Sequence, residues 1–183
     1  MNTNRRLFLS QASVIAGLVL LNKPLSSLGV PVDKNRVSQH LSEDAITIYH
    51  TNDLNGTINA VYDNMGGINH VKNLITKQEV QGLLFDAGNF LGDSKNPDQH
   101  KNIVQLMNNM GYLVATPGKQ ELINGEPYLA ELIPRMKFKL VNCNYRFCGQ
   151  LSNMIAPYAI INSGKFKIGV TGVGGRQNDI IYN

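Results

Sequence analysis

The chain has 183 residues, 43% of them hydrophobic and 16% charged, with a formal net charge of +4. That length bounds it to about one domain. Residues 1–29 hold Arg5, Arg6 and Lys23 and no acid, so the remainder is close to neutral at about +1, which gives no case for a nucleic acid polymer or an anionic membrane as partner.

The amino end reads as an export signal over residues 1–29. A basic start is followed by an apolar stretch from Ala12 to Leu21 and a Ser/Gly-containing exit, the outline of a cleavable secretory segment. Ten apolar residues are too few for a hydrocarbon core that needs about 20, so no transmembrane anchor is expected. Arg5-Arg6-Leu7-Phe8-Leu9 resembles a twin-arginine signal, which a receptor reads as an address. The chain is therefore expected outside the cytoplasm, in a periplasm or medium, by that route. No Cys follows the apolar stretch, which excludes lipid attachment there.

Residues 30–44 are polar and without period, and read as a linker. From residue 45 strand and helix patterns alternate. Strands are predicted at Ala45–Tyr49, Gly82–Phe85, Leu113–Thr116, Lys139–Asn142, Tyr158–Asn162 and Phe166–Gly172. Helices are predicted at Gly67–Lys77, Gln99–Met110 and Tyr128–Arg135. In the first, Ile68, Val71, Leu74 and Ile75 share a face; in the second, Ile103, Leu106, Met107 and Met110 do. Asp98 is the expected cap and Gly111 the stop. Alternation of this kind predicts an α/β fold with a mostly parallel sheet. Ser163-Gly164 between two apolar runs predicts a closing hairpin.

Cys143 and Cys148 are five apart, which is a poor zinc pattern. Cys143 is expected on a buried strand, and a disulfide between the two is left open. Of the histidines, His40 falls in the linker, His50 on the first strand as a packed or hydrogen-bonded residue, and His70 and His100 on or before helices. None forms an i, i+4 pair. Gly-x-Ser-x-Gly does not occur, and Ser94 and Ser163 have no neighbouring His, so no nucleophile stands out. Gly172-Val173-Gly174-Gly175-Arg176 lacks the Lys-Ser/Thr of a phosphate loop and reads as a turn.

Polar clusters follow three strands: Asp53-Leu54-Asn55-Gly56, Asp86-Ala87-Gly88-Asn89 running on to Asp93-Ser94, and Thr116-Pro117-Gly118-Lys119-Gln120-Glu121. Carboxyl ends of strands are where open α/β sheets place ligand sites. With Met65-Gly66-Gly67, Asn108-Asn109-Met110-Gly111-Tyr112 and Val141-Asn142-Cys143-Asn144-Tyr145, the order and spacing of these blocks resemble the metallophosphoesterase (calcineurin-like) domain of exported 5′-nucleotidases. The likeness runs from about Ile46 to Gly172. It implies a partial αββα sandwich with helices on the outer faces, residues 45–183 being the amino-terminal portion of such a domain. It also implies a site for two divalent metals (Zn, Mn, Mg or Ca).

Carried over by position, the first metal-binding Asp is Asp53. Its His partner is Asn55, the metal-bridging Asp is Asn89, the metal-binding Asn is Lys119, and the catalytic His is Gln120. Only Asp53 keeps the family's residue, and the later His segments have no counterpart. Two dications need a shared anionic bridge, which an amide at Asn89 does not supply. A Lys has three donors and no acceptor, and Gln120 exchanges no proton near neutral pH. Asp86, Asp93 and Glu121 read as turn or cap acids, or as a partner for Lys119. The expectation is a non-catalytic relative without a metal cofactor, which binds a phosphate-bearing small molecule at Lys119, Asn55 and Asn89 or is completed by a second chain or a second copy of itself. Residual metal-dependent hydrolysis of phosphate monoesters, and a gene fragment without function, are the alternatives.

Overall fold

The structure is a computed structural model that describes Val30–Pro31 and residues 45–60, 65–78 and 81–175. The signal reading, and the linker reading apart from Val30–Pro31, lie outside these residues. Val30–Pro31 form a short strand, β1, parallel to a later one.

Three strand–helix units build the main sheet. Strand β2 (Ile48–Thr51) leads to α1 (Gly67–Thr76), β3 (Leu83–Asp86) to α2 (Pro97–Met110), and β4 (Val114–Ala115) to α3 (Lys119–Leu122) and α4 (Glu126–Leu132). A 3₁₀ turn at Ile133–Arg135 precedes β5 (Lys139–Leu140). The sheet order is β2-β3-β4-β5, all parallel, with Thr51 opposite Asp86, Asp86 opposite Ala115 and Ala115 opposite Leu140. This register brings the carboxyl ends of all four strands to one edge of the molecule. A short helix α5 (Leu151–Met154) then leads into the hairpin β6 (Tyr158–Ser163) and β7 (Phe166–Thr171). The two strands pair antiparallel around Gly164-Lys165, and the second sheet runs β1-β6-β7.

Period-two alternation explains the layers. Leu84, Ala115 and Leu140 pack with Ile68, Ile103, Met107, Leu122 and Leu129 of the helices. Their neighbours Leu83, Val114 and Val141 face Ala159 and Ile161 of the second sheet. All five helices contribute to the first cluster and none to the second. Among the described residues the helices pack on one face of the main sheet and the second sheet on the other, within the α/β fold with a mostly parallel sheet that the sequence reading expected.

Most elements lie where the pattern places them, and the departures have local causes. The first strand sits nearer the site than expected, because its pairing with β3 runs through Thr51. Helix α2 begins at Pro97, whose missing N–H is tolerated in the first turn, and Asn96 is the cap, its Oδ1 accepting the Asp98 N–H at 3.0 Å. Asp98 instead pairs with Lys101 at 2.8 Å. Gly111 ends this helix at φ 82°, as expected. Helix α4 starts two residues early at Glu126, with Pro127 in its first turn, and Pro134 lies in the 3₁₀ turn that follows. Met107 and Met110 pack into the core, which accounts for them without a ligand. Cys143 is exposed rather than buried, since the chain has left the sheet before it; Cys148 is exposed too and neither is in a disulfide. His50 is also exposed, because the second sheet does not reach across β2.

Candidate functional site

Three loops at the carboxyl ends of β2, β3 and β4 meet through side-chain and backbone hydrogen bonds. The Asp53 N–H donates to the Gly88 carbonyl at 3.0 Å, and the Asn55 N–H to the Asn89 carbonyl at 2.8 Å. Asp53, Asn55 and Asn89 have φ of 53°, 51° and 57°. They are the non-glycine residues with positive φ in the described chain, and Asn and Asp are the residue types that tolerate this conformation best.

Four of the five residues carried over from the resemblance, Asp53, Asn55, Asn89 and Gln120, are joined in a closed ring. Asn89 donates from Nδ2 to Asp53 Oδ1 at 2.8 Å and accepts the Gln120 backbone N–H on Oδ1 at 3.1 Å. Gln120 donates from Nε2 to Asn55 Oδ1 at 2.7 Å. Asn55 closes the ring by donating from Nδ2 to the Asp53 backbone carbonyl at 2.8 Å. Turning the Asn89 amide over would set oxygen against carboxylate and NH₂ against an N–H, so its partners fix its orientation. The second Asp53 oxygen accepts from Asn52 Nδ2 at 2.7 Å, and Gln120 Oε1 accepts the Gly92 N–H at 3.1 Å.

Beneath the ring, two buried carboxyls hold the loops from inside. Glu121, with 0% exposure, accepts the N–H groups of Asn89 at 2.9 Å, Leu91 at 2.9 Å and Gly118 at 2.7 Å. Burial pushes its pKa up, and these backbone donors pull against that rise. Asp86 accepts the Thr51 hydroxyl at 2.6 Å and the Gly88 N–H at 2.8 Å. Burial raises its pKa to about 7, with the charges of Glu121 and Asp53 adding to the rise. Gly118 has to be glycine in this packing: a Cβ there would collide with Asn89 Oδ1.

Lys119 stands apart. It is exposed and among the described residues no ion pair joins it to Asp53 or Glu121, Lys101–Asp98 being the pair the fold forms. The Asp53 carboxylate is instead occupied by Asn52 and Asn89. The suggestion that Glu121 pairs with Lys119 is corrected, since its oxygens face buried backbone donors. Asp93 is exposed and outside the network.

Farther along the edge, Asn144 exchanges two bonds with Gly174, at 2.8 and 2.9 Å, and the Tyr145 hydroxyl donates to the Gly175 carbonyl at 3.0 Å. Those backbone groups are committed to holding the loop after β7. Sequence reasoning missed the tie between Asn144 and Gly174. The anchoring role of Glu121 was missed too; its place three residues after Gly118 was the available signal.

The donor set does not fit a pair of divalent ions. Among the described residues no group of three or more His, Cys, Asp or Glu stands together to hold a metal. The amide oxygens of Asn55 and Asn89 already accept hydrogen bonds from within the ring, and that of Gln120 accepts the Gly92 N–H.

Solved structures of 5′-nucleotidases and calcineurin-like phosphoesterases share this α/β fold. The 5′-nucleotidase precursor from Thermus thermophilus superposes with a TM-score of 0.58 at 22% identity, over 70% of this chain and 28% of that one. The calcineurin-like phosphoesterase YfkN from Bacillus subtilis does so with a TM-score of 0.55 at 24% identity, over 70% and 48%. In sequence the chain is 27% identical over 157 residues to the snake venom 5′-nucleotidase of Naja atra, and 26% identical over 166 residues to that of Gloydius brevicauda. Each match takes in 75% of this chain, which spans 30% and 27% of the length of the two relatives. No protein-family model matches the chain. These likenesses support reading the chain as part of a metallophosphoesterase domain similar to that of the 5′-nucleotidases.

Proposed function

We propose that this protein is a non-hydrolytic member of its family, in which the metal pocket has become a hydrogen-bonded polar ring that presents Lys119 to an anionic, phosphate-bearing ligand. The observation that carries the reading is the bond from Asn89 Nδ2 to Asp53 Oδ1 at 2.8 Å. Where the family places a carboxylate between two cations, this chain aims an N–H donor at the one acid that remains. Gln120, at the family's catalytic His position, has no proton to give near neutral pH. An exposed ammonium without an ion-pair partner among the described residues can meet phosphate as a point charge.

The test is direct. Purified protein analysed for metal content and assayed with Mn²⁺, Zn²⁺ or Ca²⁺ on a chromogenic phosphate ester should hold no stoichiometric pair of ions and show no turnover above blank. Turnover abolished by Asp53→Ala overturns the reading. Inorganic phosphate or a nucleotide should bind the wild type and bind Lys119→Glu at least tenfold more weakly; equal, negligible binding in both removes the ligand half of the proposal.

A partner-completing role is favoured by a different observation. Among the described residues, strand β7 has a hydrogen-bonded neighbour on one side only, and Ile48, on the inner face of β2, is 49% exposed. An open strand edge is a site for strand addition by a second chain or a second copy, and an exposed apolar residue such as Ile48 is surface such a partner can cover. Size exclusion of the protein should then give a dimer or a co-purifying partner, and a stable monomer counts against this role. The relatives named above include venom proteins, and the twin-arginine reading of residues 1–29 directs this chain outside the cytoplasm as well. No described helix is long and apolar enough to cross a membrane.

A further inference from the structure

Asp86 ends β3 and is 4% exposed, and its carboxyl is bonded to the end of β2 and to the loop that follows its own strand. Its Oδ2 accepts the Thr51 hydroxyl, and its Oδ1 accepts the Gly88 N–H. Thr51 Oγ1 lies 2.7 Å from the hydroxyl of Tyr112, a fully buried side chain. Gly88 relays the contact outward, since its carbonyl accepts the Asp53 N–H at 3.0 Å. The carboxyl is thus one residue removed from the polar ring.

The ionisable groups that face Asp86 are Asp53 from the loop after β2, Glu121 from α3 and the Tyr112 phenol. All are acids, so each charge added to this corner makes the next harder to place. Tyr112 is itself pushed above its ordinary range, chiefly by burial. The hydroxyl chain can serve either state of Asp86. Ionised, the carboxylate accepts from Thr51; protonated, it donates to Thr51, whose hydroxyl turns to Tyr112, while Gly88 keeps the other oxygen. The loops stay tied in both states, and what changes is the charge beneath the ring.

We propose that Asp86 is a proton-linked regulator of this pocket: an anion held at Lys119 and a proton taken up by Asp86 reinforce one another, because each relieves repulsion the other suffers. The proposal rests on the reading of the pocket as an anion site. Its pH window follows from burial, which moves the Asp86 midpoint from 3.8 to about 7. By linkage, the factor by which protonation tightens the anion equals the factor by which the anion tightens the proton.

Sulfate is the probe, since its charge is constant over the range needed and phosphate's is not. Calorimetric titration of the full chain between pH 5.5 and 8.5 at fixed ionic strength should show affinity falling at least fivefold as pH rises. Asp86→Asn should remove that dependence. A second readout needs no variant: the Gly88 amide resonance should titrate near pH 7 and shift its midpoint upward when sulfate is saturating. Sulfate binding with the same pH slope in Asp86→Asn, or a Gly88 midpoint unmoved by sulfate, overturns the linkage alone. Absence of sulfate binding at every pH overturns the anion reading and the linkage with it.

Discussion

Asn89 and Asp53 touch directly: the amide N–H of one meets the carboxylate of the other at 2.8 Å, across two loops separated by the whole of α1 and β3. The rest of the pocket is arranged around that bond. An Asp at position 89 would turn a donor into a second anion at hydrogen-bond distance. Asn89→Asp should therefore lose about 1–3 kcal/mol of stability at neutral pH. The loss should shrink when millimolar Ca²⁺ or Mn²⁺ is added. Denaturant melts of variant and wild type, with cation and with chelator, read both effects. A variant as stable as the wild type in chelator would mean the bond contributes little.

Glu121 is the second point of leverage. Its carboxylate answers three backbone N–H groups at 0% exposure, and a buried donor left without a partner costs about 1–3 kcal/mol. Glu121→Ala should lower stability by at least about 3 kcal/mol on that basis. Glu121→Gln, which keeps one oxygen in place, should cost clearly less. Urea unfolding of the pair separates the hydrogen-bond effect from the loss of side-chain volume.

Gly118→Ala isolates the packing of the ring from its charge. The added methyl group meets Asn89 Oδ1, so either the amide or the loop has to move. Overpacking of this kind costs about 1–3 kcal/mol. Amide exchange of Gln120, whose N–H is donated to Asn89, should accelerate in the variant while that of Met107 in the core of α2 stays slow.

How far the chain could be read without coordinates follows from where its information is local. The stripe Ile103–Met107–Met110 and the stop at Gly111 announce α2 because a 3.6-residue period and a left-handed glycine are properties of neighbouring residues. The three site loops were legible because each combines a strand pattern with an abrupt change to Asp, Asn and Gly. The ring was not. Nothing in the spacing of Asn55, Asn89 and Gln120 says that their amides bond one another, since those bonds span 31 and 65 positions and depend on strand register. Glu121 was read as a turn acid, or a partner for Lys119, for a related reason. A carboxylate in a helix's first turn is ordinary, and only the fold shows that its acceptors face the N–H groups of another loop. His50 and Cys143 were placed too deep because strand pattern reports alternation, not whether the opposing sheet extends far enough to cover a residue.

Two buried groups should give the stability profile opposite slopes, and they can be separated. Asp86 binds its proton more tightly when folded, its midpoint rising from 3.8 to about 7. The folded state then holds more protons than the unfolded chain between those values, so this contribution is full below pH 3.8 and is lost as pH rises towards 7. His100 has the reverse sign. Its ring is buried, with Nδ1 2.7 Å from the Tyr128 hydroxyl, and burial lowers its pKa from 6.5. The unfolded chain takes up the proton first, so the His100 contribution is present above pH 6.5 and declines as pH falls below it. Unfolding free energy measured from pH 4 to 8 should fall less steeply in Asp86→Asn, with the buried Glu121, whose pKa burial also raises, supplying the remaining fall, and should lose its rising component in His100→Gln. If the two variants shift the profile in the same direction, the protonation states assigned to this pair of side chains are wrong.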